Sequence, residues 1–241
     1  MGAYNLSSTE AQGSGLRAYL LKIYNYMTGA LILTGAIAFY SAKSEALLNA
    51  MYIMQGETIT GMKSLAWIVM FAPLGLVMFL SFGIQRMSLY TAQLSFWAYA
   101  ALVGLSLSVI FLTFTGESIA QTLFITAGTF GGMSLYGYTT QRDLTGMGSF
   151  MFMGLIGLII ASMVNLFLKS PGLQFGLSVA GVIVFVGLTA FDTQKLKQLY
   201  VQTMGEGEGA EKIAIIGALT LYLDFINIFL NLLNFFGKRK R

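Results

Sequence analysis

The strongest constraint on this chain is a repeated alternation: long apolar stretches, each closed by a charge or a turn, from one end to the other. Seven can be marked, at residues 20–40, 65–84, 89–114, 118–138, 150–168, 173–191 and 213–236. An α-helix needs roughly 20 apolar residues to cross a bilayer, and a chain in lipid can satisfy its own backbone only as helix or closed barrel. Charged residues make up 10% of the sequence, against about 25% in a soluble domain, too few to cover a water-facing surface. The expected fold is an all-α integral membrane protein with seven transmembrane helices over residues 20–237. A short polar segment at 1–19 precedes them and a basic tail at 238–241 follows. The lipid bilayer is the first partner, and no room remains for a separate soluble domain. Residues 1–15 are polar with no apolar core before the first stretch, so no cleavable signal peptide is read.

Basic residues in short loops tend to stay cytoplasmic. With the N-terminus inside, the inner segments hold Arg17, Lys22, Arg86, Arg142, Lys195, Lys197 and Lys212, and the outer loops only Lys43, Lys63 and Lys169. A multi-pass protein with a cytoplasmic N-terminus is expected. The tail conflicts with this, because a full seventh crossing places residues 238–241 outside; the stretch is long enough to cross, and a full crossing is expected. The basic residues sit at span ends rather than in a patch, so no nucleic-acid partner is expected. The absence of cysteine and histidine excludes disulfides, thiolate nucleophiles, most zinc sites and a histidine general base. Gly128 with Gly132, and Gly172 with Gly176, have the spacing that lets helices pack closely.

Two acidic residues do not fit the pattern of charges at span ends. Asp224 lies near the middle of the last stretch and Asp192 at the inner end of the sixth. A carboxylate near the bilayer centre costs about 2.5–3.5 kcal/mol on insertion scales, and such residues usually face a bundle interior and mark a pathway or proton relay. For Asp192 an interfacial cap beside Lys195 is the alternative. In the last stretch Thr220, Asp224, Asn227, Asn231 and Asn234 step by four, three, four and three, with Gly217 extending the series. At ~100° per residue they form one polar stripe on an otherwise apolar helix. Such a stripe implies a helix surrounded by others or lining a wet cavity; interhelical hydrogen bonding without transport is the alternative. Antiparallel packing of the last two helices brings Asp192 and Asp224 toward one level, and contact requires tilt or a shifted register. Two carboxylates meeting in a low-dielectric site do not both ionise readily and share a proton.

Three segments carry a resemblance: Gly137-Tyr-Thr-Thr-Gln-Arg-Asp-Leu144, Val184-Phe-Val-Gly-Leu-Thr-Ala-Phe-Asp-Thr-Gln-Lys-Leu196, and Gly217-Ala-Leu-Thr-Leu-Tyr-Leu-Asp-Phe-Ile-Asn-Ile-Phe229. They resemble the Bax inhibitor-1 (lifeguard, TMBIM) family, and most of all its proteobacterial inner-membrane branch, from Tyr19 to Gly237. One departure is Phe191, where many members have Tyr before the aspartate. The resemblance implies seven helices with the C-terminal one central and wrapped by the other six. It also implies a bacterial inner-membrane location and a pH-sensitive calcium leak controlled by an aspartate pair at positions matching Asp192 and Asp224. In some members an arginine of the second helix latches the closed pair, and Arg86 is the nearest candidate. Some bacterial relatives are instead linked to restraining the membrane protease FtsH.

The leading expectation is thus a passive calcium leak, with Asp192, Asp224 and Asn227 on the ion path and calcium as cargo rather than cofactor. Calcium takes six to eight oxygen ligands, so three side chains give weak, transient binding, which suits conduction. A regulatory partner of FtsH or another membrane complex is the alternative. No enzyme is expected. The segment from Gly56 to Ser64 resembles a phosphate loop, but Met62 stands where lysine is required and no strand precedes it. An intramembrane aspartyl protease also sets one aspartate on each of two late helices, but Leu221-Tyr-Leu-Asp224 stands where its Gly-x-Gly-Asp is required, and its Pro-Ala-Leu motif is absent, the nearest match being Ala72-Pro-Leu74.

Overall fold

A computed structural model of the chain describes residues 2–55, 58–203 and 207–240, with the backbone alone for 2–13, 58–59 and 203. Part of the rejected phosphate-loop match (56–57), part of the Gly/Glu run (204–206) and the last residue of the basic tail lie outside the described residues. The described residues form eight α-helices: α1 (Gly2–Lys43), α2 (Glu45–Met51), α3 (Ser64–Gly83), α4 (Leu89–Thr113), α5 (Gly116–Thr139), α6 (Thr145–Leu168), α7 (Pro171–Thr203) and α8 (Gly207–Phe236). A 3-10 turn, Ile84–Arg86, follows α3, and strands β1 (Tyr52–Gln55) and β2 (Thr58–Met62) form an antiparallel hairpin.

Each of the seven apolar stretches forms a helix, and the chain is an all-α membrane protein in outline. Among the described residues six helices are long and apolar enough to cross a membrane, not seven. The exception is α5. It carries one charge, Glu117, but Thr, Ser and Gly dilute its apolar residues along the whole length. The polar residues expected to precede the first span are helical from Gly2 and continuous with it. The hairpin replaces the expected loop between the first two spans; its Tyr52, with Met51 of α2, packs against Ala66 and Val69 of α3.

Two compact units are present. One comprises residues 22–115, 206–219 and 239–241, the other residues 1–21, 116–205 and 220–238. In the first, Thr34 of α1 donates a 2.9 Å hydrogen bond to the Ala100 carbonyl of α4. Pro73 lies inside α3 and has no N–H to offer the carbonyl of Val69, four residues back. The Ser106 hydroxyl of α4 donates to that carbonyl instead, at 2.8 Å. In lipid no water is available for the task, so the neighbouring helix must supply the donor.

In the second unit, α6 ends at Lys169 in the left-handed region (φ 49°), and Pro171 opens α7 where its missing N–H costs nothing. Asn165 ties this turn, accepting from Ser170 N–H at 3.0 Å and donating to Gln174 at 3.1 Å. At the far end of α8 the Lys238 N–H donates to the Ser118 hydroxyl near the start of α5. Gly128, Gly132 and Gly176 have no atom close enough to meet an added Cβ, and Gly172 meets only Ser170. The small-residue spacing expected to bring helices together is therefore not used for packing within this chain.

Candidate functional site

Within the second unit, α7 and the C-terminal half of α8 run antiparallel. The Phe175 and Phe235 rings meet at 5.1 Å. Further along, Gly181 faces the Asn231 amide so closely that a Cβ would sit 2.4 Å from its oxygen, so glycine lets that side chain lie across α7. Further still, the carboxyl groups of Asp192 and Asp224 come close enough to interact with each other. Between the ring contact and this pair α7 advances more than a helical turn further than α8, the shifted register that contact requires.

Asp224 is 4% exposed, and its Oδ2 has no hydrogen-bond partner among the described residues. Asp192 is half-buried and lies in the field of Lys195. A deprotonated carboxylate has no donor, so a hydrogen bond between two carboxyl groups requires a proton on one of them. Two unprotonated carboxylates at this distance in a dry interior would repel strongly. A pair so placed is able to hold one proton between two helices.

The turn after α5 is fastened beside this pair. Gly137 packs onto the Ala190 carbonyl of α7, where a Cβ would come within 2.2 Å of the oxygen. Gln194, buried one helical step beyond Asp192, accepts from Leu144 N–H at 2.9 Å and donates to the Arg142 carbonyl at 2.8 Å. Lys197 donates to the Tyr138 carbonyl at 3.0 Å. The segments 137–144 and 184–196, which drew attention separately in the sequence, are thus one construction. Sequence reasoning missed the part of Gln194; the available signal was an amide in an apolar helix near an aspartate. The Phe191 ring lies over Gly148 of α6, whose missing side chain makes room for it.

The remaining expected residues are placed as follows. Asn227 and Asn231 donate to carbonyls of their own helix, Leu223 and Asn227 respectively, each at 2.8 Å. Thr220 is half-buried and Asn234 exposed, so the stripe is not buried along its whole length. Arg86 ends the 3-10 turn in the other unit and is exposed. No group of three or more acidic, histidine or cysteine side chains that could hold a metal occurs among the described residues.

Fold and site together define a helical membrane protein with two neighbouring carboxyl groups, one buried and one half-buried, on two antiparallel helices. Residues 16–241 match the family described as inhibitor of apoptosis-promoting Bax1. The chain is 51% identical to an uncharacterized protein of Rickettsia prowazekii over 97% of its length and 95% of the relative's. It is 47% identical to the inner membrane protein YbhL of Escherichia coli, covering 94% of each chain. An uncharacterized protein of Caulobacter vibrioides is 44% identical, over 93% of this chain and 90% of its own. The chain belongs to the Bax inhibitor-1 family.

Proposed function

We propose that the protein is a pH-sensitive passive leak for calcium, gated by the proton that Asp192 and Asp224 share. The observation that carries this reading is the buried carboxyl pair with one oxygen of Asp224 left unpartnered. With the proton in place, the pair ties α7 to α8. Without it, both carboxylates become acceptors only, repel each other, and offer the hard oxygen ligands calcium takes. Asn227 lies one turn further along α8, and its amide oxygen is a further ligand on the path. The reading also takes α5 as a seventh span and α8 as the central helix, in keeping with the 67% burial of α8's most apolar window. The inner membrane, with the N-terminus cytoplasmic, is the proposed location, supported by the name of the Escherichia coli relative.

The test is calcium flux into liposomes containing the purified protein, from pH 6 to pH 8 in about half-unit steps. The reading predicts flux above that of empty liposomes and dependent on pH. If the protein passes no more calcium than empty liposomes at any pH, the leak reading fails. A regulatory role, such as restraint of FtsH, then becomes the better account.

A further inference from the structure

The buried face of α5 carries a polar column that the carboxyl pair does not explain. Ser118, Thr122, Thr126, Phe130 and Ser134 recur every fourth residue, and each is at most 5% exposed. Four residues rise about 6 Å, so the column spans about 24 Å, most of a hydrocarbon core of about 30 Å. At one end the Ser134 hydroxyl lies 3.4 Å from that of Thr193, the residue after Asp192. At the other, Ser118 accepts from the Lys238 N–H.

One hydroxyl of the column and two of α7 have their protons committed to their own helices. Thr126 donates to the Thr122 carbonyl, and Thr189 and Thr193 of α7 donate to Phe185 and Thr189 in the same way. Each oxygen is left presenting lone pairs, a lining that can accept from a proton donor or ligate a hard cation. One member of the column breaks it. Phe130 stands between Ser134 and Thr126, with its ring edge-to-face on Phe225 at 5.5 Å. Phe225 is the neighbour of Asp224, so an aromatic pair stands where the column leaves the level of the carboxyl pair. Apolar constrictions of this kind close a path by excluding water.

We propose that the α5 hydroxyl column continues the ion path from the carboxyl pair toward the end of α5 where Lys238 docks, and that Phe130 with Phe225 is the constriction that closes it. This rests on the leak reading above; its ligand is a hard cation such as calcium, passed between hydroxyl oxygens. If the hydroxyls were only satisfying themselves on their own helices, the column would be dry and Phe130 an ordinary packing residue.

The chain has no cysteine, so a single introduced thiol reports wetting cleanly. Calcium flux is measured in liposomes for the wild type, Phe130→Ala, Phe130→Leu, Thr126→Cys and Leu123→Cys, the last two before and after a cationic methanethiosulfonate reagent. Leu123 lies on the exposed face of α5 and serves as control. Phe130→Ala is expected to raise flux severalfold at the pH where the wild type passes least, and Phe130→Leu to raise it by less. The reagent is expected to cut the flux of Thr126→Cys by more than half and to leave Leu123→Cys unchanged. If the wild type conducts, yet Phe130→Ala conducts no more and the reagent has no effect on Thr126→Cys, the path is overturned while the leak stands. Should Phe130→Ala fail to fold, the reagent's effect on Thr126→Cys decides alone. Wild-type liposomes no leakier than empty ones overturn the leak reading and this path with it.

Discussion

α6 and α8 are both apolar enough to cross a membrane, yet 6% of the most apolar window of α6 is buried against 67% of that of α8. Apolarity therefore does not say which helix faces lipid. The placement of polar groups does. Along α6 the middle is Phe, Met, Ile and Leu, and its buried polar residue, Asn165, works at the turn into α7. In α8, Asp224 and two asparagines interrupt the middle, and each needs a partner that lipid cannot give. In water, burial follows apolar residues. In a bilayer the polar residues must find the interior, and the apolar ones can face either way.

The comparison can be broken most directly on α6. Ile160 is 58% exposed, and Ile160→Asp is expected to cost about 3 kcal/mol of insertion, read as loss of the spanning form in a membrane-insertion assay. An unimpaired Ile160→Asp would mean that this face is not in lipid. A smaller effect sharpens the contrast between glycines on α5. Gly137→Ala pushes a Cβ into the Ala190 backbone, which has no flexible side chain to move aside, and is expected to cost about 1–3 kcal/mol. Gly132→Ala meets nothing and is expected to stay within about 0.5 kcal/mol. Thermal unfolding in detergent separates the two, and equal shifts would contradict the packing described.

The smallest effect concerns a carboxylate outside the spans. Asp143 accepts from both the hydroxyl and the N–H of Thr145, at 2.6 and 2.9 Å, and these bonds hold its carboxyl below the usual range. A depressed value stabilises the fold above the unfolded-state pKa of about 3.9, and the contribution is lost as pH falls below it. Thr145→Ala should return the titration of Asp143, followed by NMR, toward the ordinary carboxylate value. No change would mean that Thr145 is not the cause.

Much of the fold was legible because lipid makes strict demands. Each apolar stretch became a helix, and the position of Asp224 in the middle of one marked a buried polar site. The hairpin at 52–62 was not read, although Tyr52-Ile53 and Thr58-Ile59-Thr60 are β-favouring runs around a glycine. The count of spans turned on α5, whose hydroxyls and glycines lower its apolarity. Those same hydroxyls line its buried face. That Asp192 and Asp224 touch could not be read, since it depends on a register between α7 and α8 that close contacts such as Gly181 with Asn231 set. The stripe of asparagines misled in part: spacing put them on one face, but Asn227 and Asn231 turn back to their own helix.

The central claim is that Asp192 and Asp224 act as one unit through one proton. The direct test is the pH profile of calcium flux for Asp192→Asn, Asp224→Asn and the double variant beside the wild type. Residues sharing one interaction give strongly non-additive effects. Either single substitution should flatten the profile, and the second should add nothing. A pH dependence that survives in either single variant, or losses that simply add in the double, would contradict the account.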